Sequence, residues 1–272
     1  MTELRRAAVL GKPIAHSLSP VLHNAGYAAA GLTGWSYTAI ECAEAELPDL
    51  VAGLGPEWAG LSLTMPLKEI ALAVADEVSP VAGAVGAANT LVCRPDGSWY
   101  ADNTDVPGMV DVLSAVGVPE QASVTVLGAG GTARAALAAA ARLRASGVTV
   151  VARRPESIDE LRPVAETFGV PLTGADWVEA DRYAAADVVI STVPKGVADP
   201  LAERIPWRPA TVLFDALYDP WPTPLAATAA AAGCRIVSGL NLLLAQAVYQ
   251  FEHFTGVPAP VNAMHAALAA TR

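Results

Sequence analysis

Ser123-Val-Thr-Val-Leu-Gly-Ala-Gly-Gly-Thr-Ala-Arg134 is the stretch whose reading decides the fold. An apolar, β-branched segment runs into three glycines and then into a long alanine-rich stretch. That order builds a phosphate cradle. The strand ends, Gly128 permits a tight turn, and Gly130 lets the backbone approach a pyrophosphate. The helix that follows presents free N–H groups and the positive end of its dipole. Ala133 takes the last place of the pattern, where Gly or Ala is accepted. Gly128, Ala129, Gly130, Gly131 and Thr132 are thus candidate contacts to a dinucleotide.

Glycines also make plain turns, and this chain has 22 of them. The context strengthens the reading. A helix is expected from Thr132 to Leu143, and a second strand, Val148-Thr-Val-Val151, follows at βαβ spacing. The tip of that strand reads Ala152-Arg153-Arg154-Pro155. An acidic residue here would take the ribose 2′-hydroxyl of NAD, whereas arginine accommodates a 2′-phosphate through its planar fork. The pair Arg153 and Arg154 therefore points to NADP; the plain alternative is two solvated turn residues.

The 272 residues allow two modest domains or one large one. With 53% hydrophobic and 16% charged residues, a filled core is expected. The net charge is −10 and no basic stripe occurs, which argues against nucleic acid and against an anionic membrane surface as partners. Mean hydropathy is +0.38, yet no apolar run is long enough to span a bilayer. Residues 1–10 lack a signal-peptide apolar region, so a cytoplasmic protein is expected. Cys42, Cys93 and Cys234 are widely spaced and read as reduced, buried thiols. The four histidines have no metal-ligand spacing, and no metal is expected.

Outward from the glycine loop, strands are expected at 187–191, 211–214 and 235–237, alternating with helices, which implies a parallel, doubly wound sheet. The N-terminal part reads as a separate α/β domain with a mixed sheet. Its strands are expected at 6–10, 35–40 and 60–64, with a hairpin across Arg94-Pro-Asp-Gly97. Ser19 is a candidate N-cap, with Pro20 opening a helix through Ala30. Pro66 is expected to open another helix carrying Lys68 in its first turn, where the dipole disfavours a cation. The fold class is α/β with two domains. Residues 1–104, completed by helices in 241–272, form a substrate domain, and 105–240 form a Rossmann-type NADP domain.

Four patches outside the glycine loop carry unusual polar residues. They are Gly11-Lys-Pro-Ile-Ala-His-Ser17-Leu-Ser19-Pro-Val-Leu-His-Asn24, Ser62-Leu-Thr64-Met-Pro66-Leu-Lys68, Gly86-Ala-Ala-Asn89-Thr90 and Asp102-Asn103-Thr104-Asp105-Val-Pro-Gly108. Polar clusters at element ends are where sites usually lie, although serines and Asp105 could simply cap helices.

Taken together the patches resemble the shikimate dehydrogenase family over nearly the whole chain. The matching motifs are Gly-x-Pro-Ile-x-His-Ser-x-Ser-Pro-x-x-His-Asn (11–24), Thr-x-Pro-x-Lys (64–68), Gly-Ala-x-Asn-Thr (86–90) and Asn-Thr-Asp-x-x-Gly (103–108). Further matches are Gly-Ala-Gly-Gly (128–131), Asp215-x-x-Tyr218 with Thr223-Pro-Leu225, and Gly239-Leu-x-x-Leu-x-x-Gln246. The resemblance implies NADPH-dependent reduction of 3-dehydroshikimate to shikimate, on the route to aromatic amino acids, in a cleft between two domains. It implies Lys68 and Asp105 as the catalytic pair. Ser17, Ser19, Thr64, Asn89, Tyr218 and Gln246, together with that pair, would hold the substrate. Gly128 to Thr132, Arg153, Arg154, Thr192 and Gly239 would contact the cofactor. The partners are then small molecules, and the protein a monomer or homodimer.

The residue types suit that chemistry. A ketone that receives a hydride becomes an alkoxide, and a protonated Lys68 can supply the proton and stabilise the charge, with Asp105 orienting it. Some positions depart from the family's common pattern: Ser62 stands where Asn is frequent, Ala152 where Asn often precedes the arginine, and Leu242 where Met is frequent. Ser191-Thr-Val-Pro-Lys-Gly196 also carries one extra residue before its glycine. Two rival readings stand beside the first. One is an NAD-dependent quinate/shikimate dehydrogenase, which would want an acidic residue in place of the arginines. The other is a non-catalytic NADP-sensing regulator, for which loss of Lys68 or Asp105 would have spoken.

Overall fold

The structure is a computed structural model that describes residues 4–271. It divides into two compact units: the chain up to Thr104 together with the chain from Leu243 onward, and Asp105–Leu242.

The first unit contains β1 (Arg5–Gly11), α1 (Ser19–Ala29), β2 (Trp35–Glu41), α2 (Leu47–Ala52), β3 (Trp58–Leu63), α3 (Ala71–Val74), β4 (Glu77–Val78), α4 (Pro80–Val85), β5 (Thr90–Cys93) and β6 (Trp99–Asp102). The second holds α5 (Asp105–Ala115), β7 (Ser123–Leu127), α6 (Gly131–Arg142), β8 (Gly147–Ala152), α7 (Pro155–Asp159), α8 (Arg162–Phe168), β9 (Leu172–Asp176), α9 (Ala180–Tyr183), β10 (Val188–Ser191), β11 (Val212–Asp215), α10 (Pro224–Ala231) and β12 (Arg235–Ser238). Then come α11 (Gly239–Thr255) and α12 (Val261–Ala269).

The first sheet is mixed, in the order β2-β1-β3-β5-β6-β4. β1 runs parallel to β2 and β3, while β3-β5 and β5-β6 are antiparallel. Every residue of β3 is buried, because helices cover both its faces; such a strand reads as a continuous apolar run rather than an alternation. Gly60 sits in β3 where a Cβ would collide with the Phe254 ring of α11. Gly26 of α1 lies under Phe251 and Met264 in the same way, with an added Cβ only 2.8 Å from the Phe251 ring. These two glycines let α11 and α12 close onto the sheet and α1.

The second sheet is parallel throughout, in the order β12-β11-β10-β7-β8-β9. Successive strands run outward from β7 through β8 to β9, and the chain then crosses back to β10. The order reverses between β7 and β10, the place where open α/β sheets bind ligands. Six of the seven alanines of α6 (Ala133, Ala135, Ala136 and Ala138–Ala140) are buried, so the helix backbone lies close to the sheet. The expected strands and the doubly wound topology agree with this structure, as does the mixed N-terminal sheet.

Four details differ from the sequence reading. Ser19 is the first residue of α1, not its cap; the preceding position is Leu18, and no side chain caps the helix. Residues 65–70 form successive turns and α3 begins only at Ala71, so Lys68 is not in the first turn of a helix and the dipole argument for it fails. The sequence Thr-Met-Pro-Leu-Lys-Glu-Ile is held instead by tertiary hydrogen bonds to Leu10 and Ala88, which override the helix-opening signal of Pro66. Only Cys42 is buried; Cys93 and Cys234 are partly exposed. The edge strand β9 had no expected counterpart, since its exposed, glycine-interrupted sequence carries no apolar alternation.

Among the described residues no helix is long and apolar enough to cross a membrane.

Candidate active site

In the first unit the polar residues collect at one end of the sheet. β1 ends at Gly11, and a Cβ there would strike the Thr64 methyl group, so the two segments touch without side-chain clearance. Backbone bonds fix this corner: Thr64 N–H donates to Leu10 O (2.9 Å), Lys12 N–H to Met65 O (3.0 Å), and Leu63 N–H to Asn89 O (2.7 Å). The Lys68 carbonyl accepts from Ala88 N–H at 2.7 Å, which ties the lysine turn to the Asn89 segment. Lys68 is half-buried. Ser17 Oγ accepts from Ser19 N–H at 3.4 Å at the start of α1, with Ser19 buried and Ser17 partly exposed.

Asn89 is buried and heavily bonded. Its Oδ1 accepts from Thr104 N–H (2.8 Å), Thr104 Oγ1 (3.1 Å) and Thr90 Oγ1 (2.8 Å). Its Nδ2 faces Gln246 Oε1 at 3.4 Å, and Gln246 Nε2 donates to Leu243 O at 2.8 Å. Thr64, Lys68, Asn89 and Gln246 therefore belong to one stitched corner. Asp105 follows Thr104 directly, as the buried first residue of α5.

The sequence reading gave no role to several groups here. Gln250, one helical turn beyond Gln246, is buried and joins Ser62, Asn89 and Thr90. The i, i+4 spacing of two glutamines on one helix was the available signal. Asp102 bonds Ser79 Oγ, Asn103 N–H and His253 Nε2, the last at 3.2 Å. Burial opposes its charge, but these bonds hold its carboxyl below the usual carboxylate range. His23 is wholly buried, stacked on Tyr37 with ring centroids 4.1 Å apart. Burial, offset only in part by the Gln250 side chain, pushes its imidazole down to about 3. Neither ring nitrogen has a hydrogen bond of good geometry.

In the second unit the expected cofactor residues cluster at the carboxyl ends of the strands. Gly128 has φ +105°, a conformation that favours glycine, and its N–H donates to Val151 O at 2.9 Å. Thr192 bonds Leu127 O through both its N–H and its hydroxyl, each at 2.9 Å, and so lies against the turn. A Cβ on Gly130, the residue that precedes α6, would meet nothing within 4 Å. The N-terminus of α6 thus opens onto free space, as a pyrophosphate cradle requires. Arg153 and Arg154 follow β8 and are exposed. Tyr218 lies beyond β11, where burial and neighbouring Asp219 push its hydroxyl up. Asp215 accepts from Thr223 Oγ1 (2.7 Å) and Leu217 N–H (3.2 Å); burial nevertheless raises its carboxyl. Gly239 opens α11 against the Ala216 carbonyl, where any Cβ would collide with backbone. These residues fit a dinucleotide: a glycine turn without side-chain bulk, an open helix end and two exposed guanidinium groups.

The chain is similar to known proteins over most of its length. Residues 9–91 match the family described as shikimate dehydrogenase substrate binding domain, and residues 239–269 match the shikimate 5′-dehydrogenase C-terminal domain. A shikimate dehydrogenase (NADP(+)) of Caulobacter vibrioides is 41% identical over 93% of this chain and 90% of its own. The chain belongs to the shikimate dehydrogenase family. Among solved structures of the family, shikimate dehydrogenase of Mycobacterium tuberculosis is 48% identical, with a TM-score of 0.89 over 98% of this chain and 100% of that one. Shikimate 5-dehydrogenase of Thermus thermophilus, solved in complex with NADP(H) and shikimate, is 32% identical, with a TM-score of 0.85 over 99% of this chain and 100% of that one.

Proposed function

We propose that this protein catalyses the reversible NADPH-dependent reduction of 3-dehydroshikimate to shikimate. The observation that carries the reading, beside family membership, is the corner that binds the Lys68 turn to the Asn89 segment. It ties the turn that carries a lysine to the segment that carries a buried, bonded amide, the two group types that a polyhydroxylated keto acid needs for recognition and polarisation.

In this reading Ser17 and Ser19 take the substrate carboxylate, and Thr64, Asn89, Tyr218 and Gln246 take its hydroxyls. Most of these substrate contacts belong to the first unit, and the cofactor contacts to the second. Gly128, Ala129, Gly130, Gly131 and Thr132 cradle the pyrophosphate, with Arg153 and Arg154 on the 2′-phosphate and Thr192 and Gly239 alongside. NADPH, when bound, supplies the hydride that reduces the ketone carbon. Lys68, protonated, donates its proton to the ketone oxygen and stabilises the charge that develops there; in the reverse direction it takes the hydroxyl proton. Asp105 orients the ammonium group, and the two act as one coupled acid–base unit. The arginine pair disfavours NAD as the natural cofactor, and the presence of both Lys68 and Asp105 disfavours a regulator without activity. We place the enzyme in the cytoplasm, as a monomer or homodimer, with small molecules as its partners.

The test is the initial rate of nicotinamide absorbance change, with shikimate and quinate each crossed with NADP and NAD. Turnover confined to shikimate with NADP is expected. Fast turnover of quinate with NAD would move the protein to the other dehydrogenase reading. NADP binding without turnover of either acid would make it a regulator.

A further inference from the structure

Tyr37, Ser62, Thr90 and Gln250 form a buried polar chain in the first unit. Such groups are costly to bury unless each is bonded, and here each is. Tyr37 Oη donates to Ser62 Oγ at 2.6 Å, and Ser62 Oγ donates to Gln250 Oε1 at 2.7 Å. Gln250 Nε2 donates to Thr90 Oγ1 at 3.0 Å and to the Asn89 main-chain oxygen at 3.1 Å. Thr90 Oγ1 then donates to Asn89 Oδ1 at 2.8 Å.

The Asn89 main-chain oxygen can only accept, which sets the Gln250 NH2 on it and on Thr90 and leaves the glutamine oxygen for Ser62. Ser62 therefore gives its proton to Gln250 and accepts that of Tyr37. Thr90, accepting from Gln250, gives its proton to Asn89 Oδ1 at 2.8 Å, nearer than Thr104 Oγ1 at 3.3 Å. With Thr104 giving two more bonds, the oxygen of the Asn89 amide is fixed and its NH2 is turned outward toward Gln246. Ser62 stands where the family frequently has asparagine, and its short hydroxyl is what receives the Gln250 carboxamide.

We propose that Gln250 is a positioning residue that holds the Asn89 amide with its N–H donors toward the substrate hydroxyls, and that Ser62 fixes Gln250 for this task. The inference rests on the reading of Asn89 as a substrate contact. Gln250 touches no reacting atom; it acts through Asn89 and Thr90. Loss of its amide frees the Thr90 hydroxyl to turn and so weakens one of the three bonds that hold the Asn89 amide oxygen.

The test is a double-mutant cycle with Gln250→Met, which keeps length without hydrogen bonds, Asn89→Ala, and the pair together. Gln250→Met is expected to raise the shikimate KM by about tenfold, with kcat within about threefold and the NADP KM within about twofold. In the Asn89→Ala background the same change is expected to add less than about twofold, since residues acting as one unit are non-additive. An unmoved shikimate KM in Gln250→Met, or an equal penalty in both backgrounds, overturns the proposal. If Gln250→Met does not fold, Ser62→Ala enters the same cycle with the same expected direction and the same overturning results. An active wild type with these negative results overturns the positioning role alone; a wild type without shikimate turnover overturns the functional reading and the positioning role with it.

Discussion

The side chain of Thr192 stands against the α-carbon of Gly128, so that a Cβ on residue 128 would lie 2.6 Å from the Thr192 hydroxyl oxygen. The glycine turn is thus walled by the loop after β10, and two independent constraints exclude a larger residue: this contact and a φ of +105°.

Gly128→Ala is therefore expected to weaken NADPH binding by about tenfold or more, near 1.4 kcal/mol, and to lower stability by about 1–3 kcal/mol through backbone strain. Fluorescence titration of NADPH and urea unfolding read the two effects. The shikimate KM should change little. Unchanged NADPH affinity in a folded variant would place the pyrophosphate elsewhere.

Lys68→Ala is expected to cut turnover by about a thousandfold or more while leaving substrate affinity within about tenfold. Steady-state rates with binding calorimetry separate the two. A variant that loses affinity but keeps its turnover would remove Lys68 from the chemistry.

Arg153→Ala combined with Arg154→Ala should weaken NADPH far more than NADH, because only the former carries the 2′-phosphate that guanidinium groups recognise. The ratio of kcat/KM for the two cofactors is the measurement. A ratio equal to that of the wild type would show that other residues hold the phosphate.

His23 makes stability depend on acid. Its imidazole falls from an ordinary 6.5 to about 3 on folding, so between those values the unfolded chain binds a proton that the native one does not. The contribution is fully present above pH 6.5 and is lost as pH falls toward about 3. The slope from this one group is about 1.4 kcal/mol per pH unit. His23→Phe, which keeps a ring on Tyr37, should flatten the acid limb of urea-unfolding stability by about one proton. An unaltered slope would mean that His23 is protonated in the native state.

Much of the second unit was legible because its signals are local. A buried parallel strand, three glycines and an alanine helix declare themselves in a dozen residues, and the buried alanines of α6 bear out that reading. The first unit was less legible where long-range bonds decide the conformation. Pro66 and the residues after it signal a helix, yet the segment is held in turns by its bonds to Leu10 and Ala88. Ser19 looks like a cap but is already helical, with Ser17 accepting its N–H. Gln250 escaped notice because its partners, Ser62, Asn89 and Thr90, lie 188, 161 and 160 residues away in sequence. Windowed patterns cannot show a relay assembled across such distances.

The unequal continuity of the two units bears on how the chain matures. Asp105–Leu242 is one uninterrupted segment that can collapse as soon as it leaves the ribosome, whereas the sheet begun at β1 needs α11 and α12 to cover Gly60 and Gly26. The usual order, in which the first-made unit folds first, is expected to reverse here. The strands synthesised earliest spend the longest time exposed, with the loop-closure cost of the whole intervening segment outstanding until Phe251, Phe254 and Met264 arrive. Slow translation, or damage near the end of the chain, would thus strike the part of the molecule encoded at its beginning.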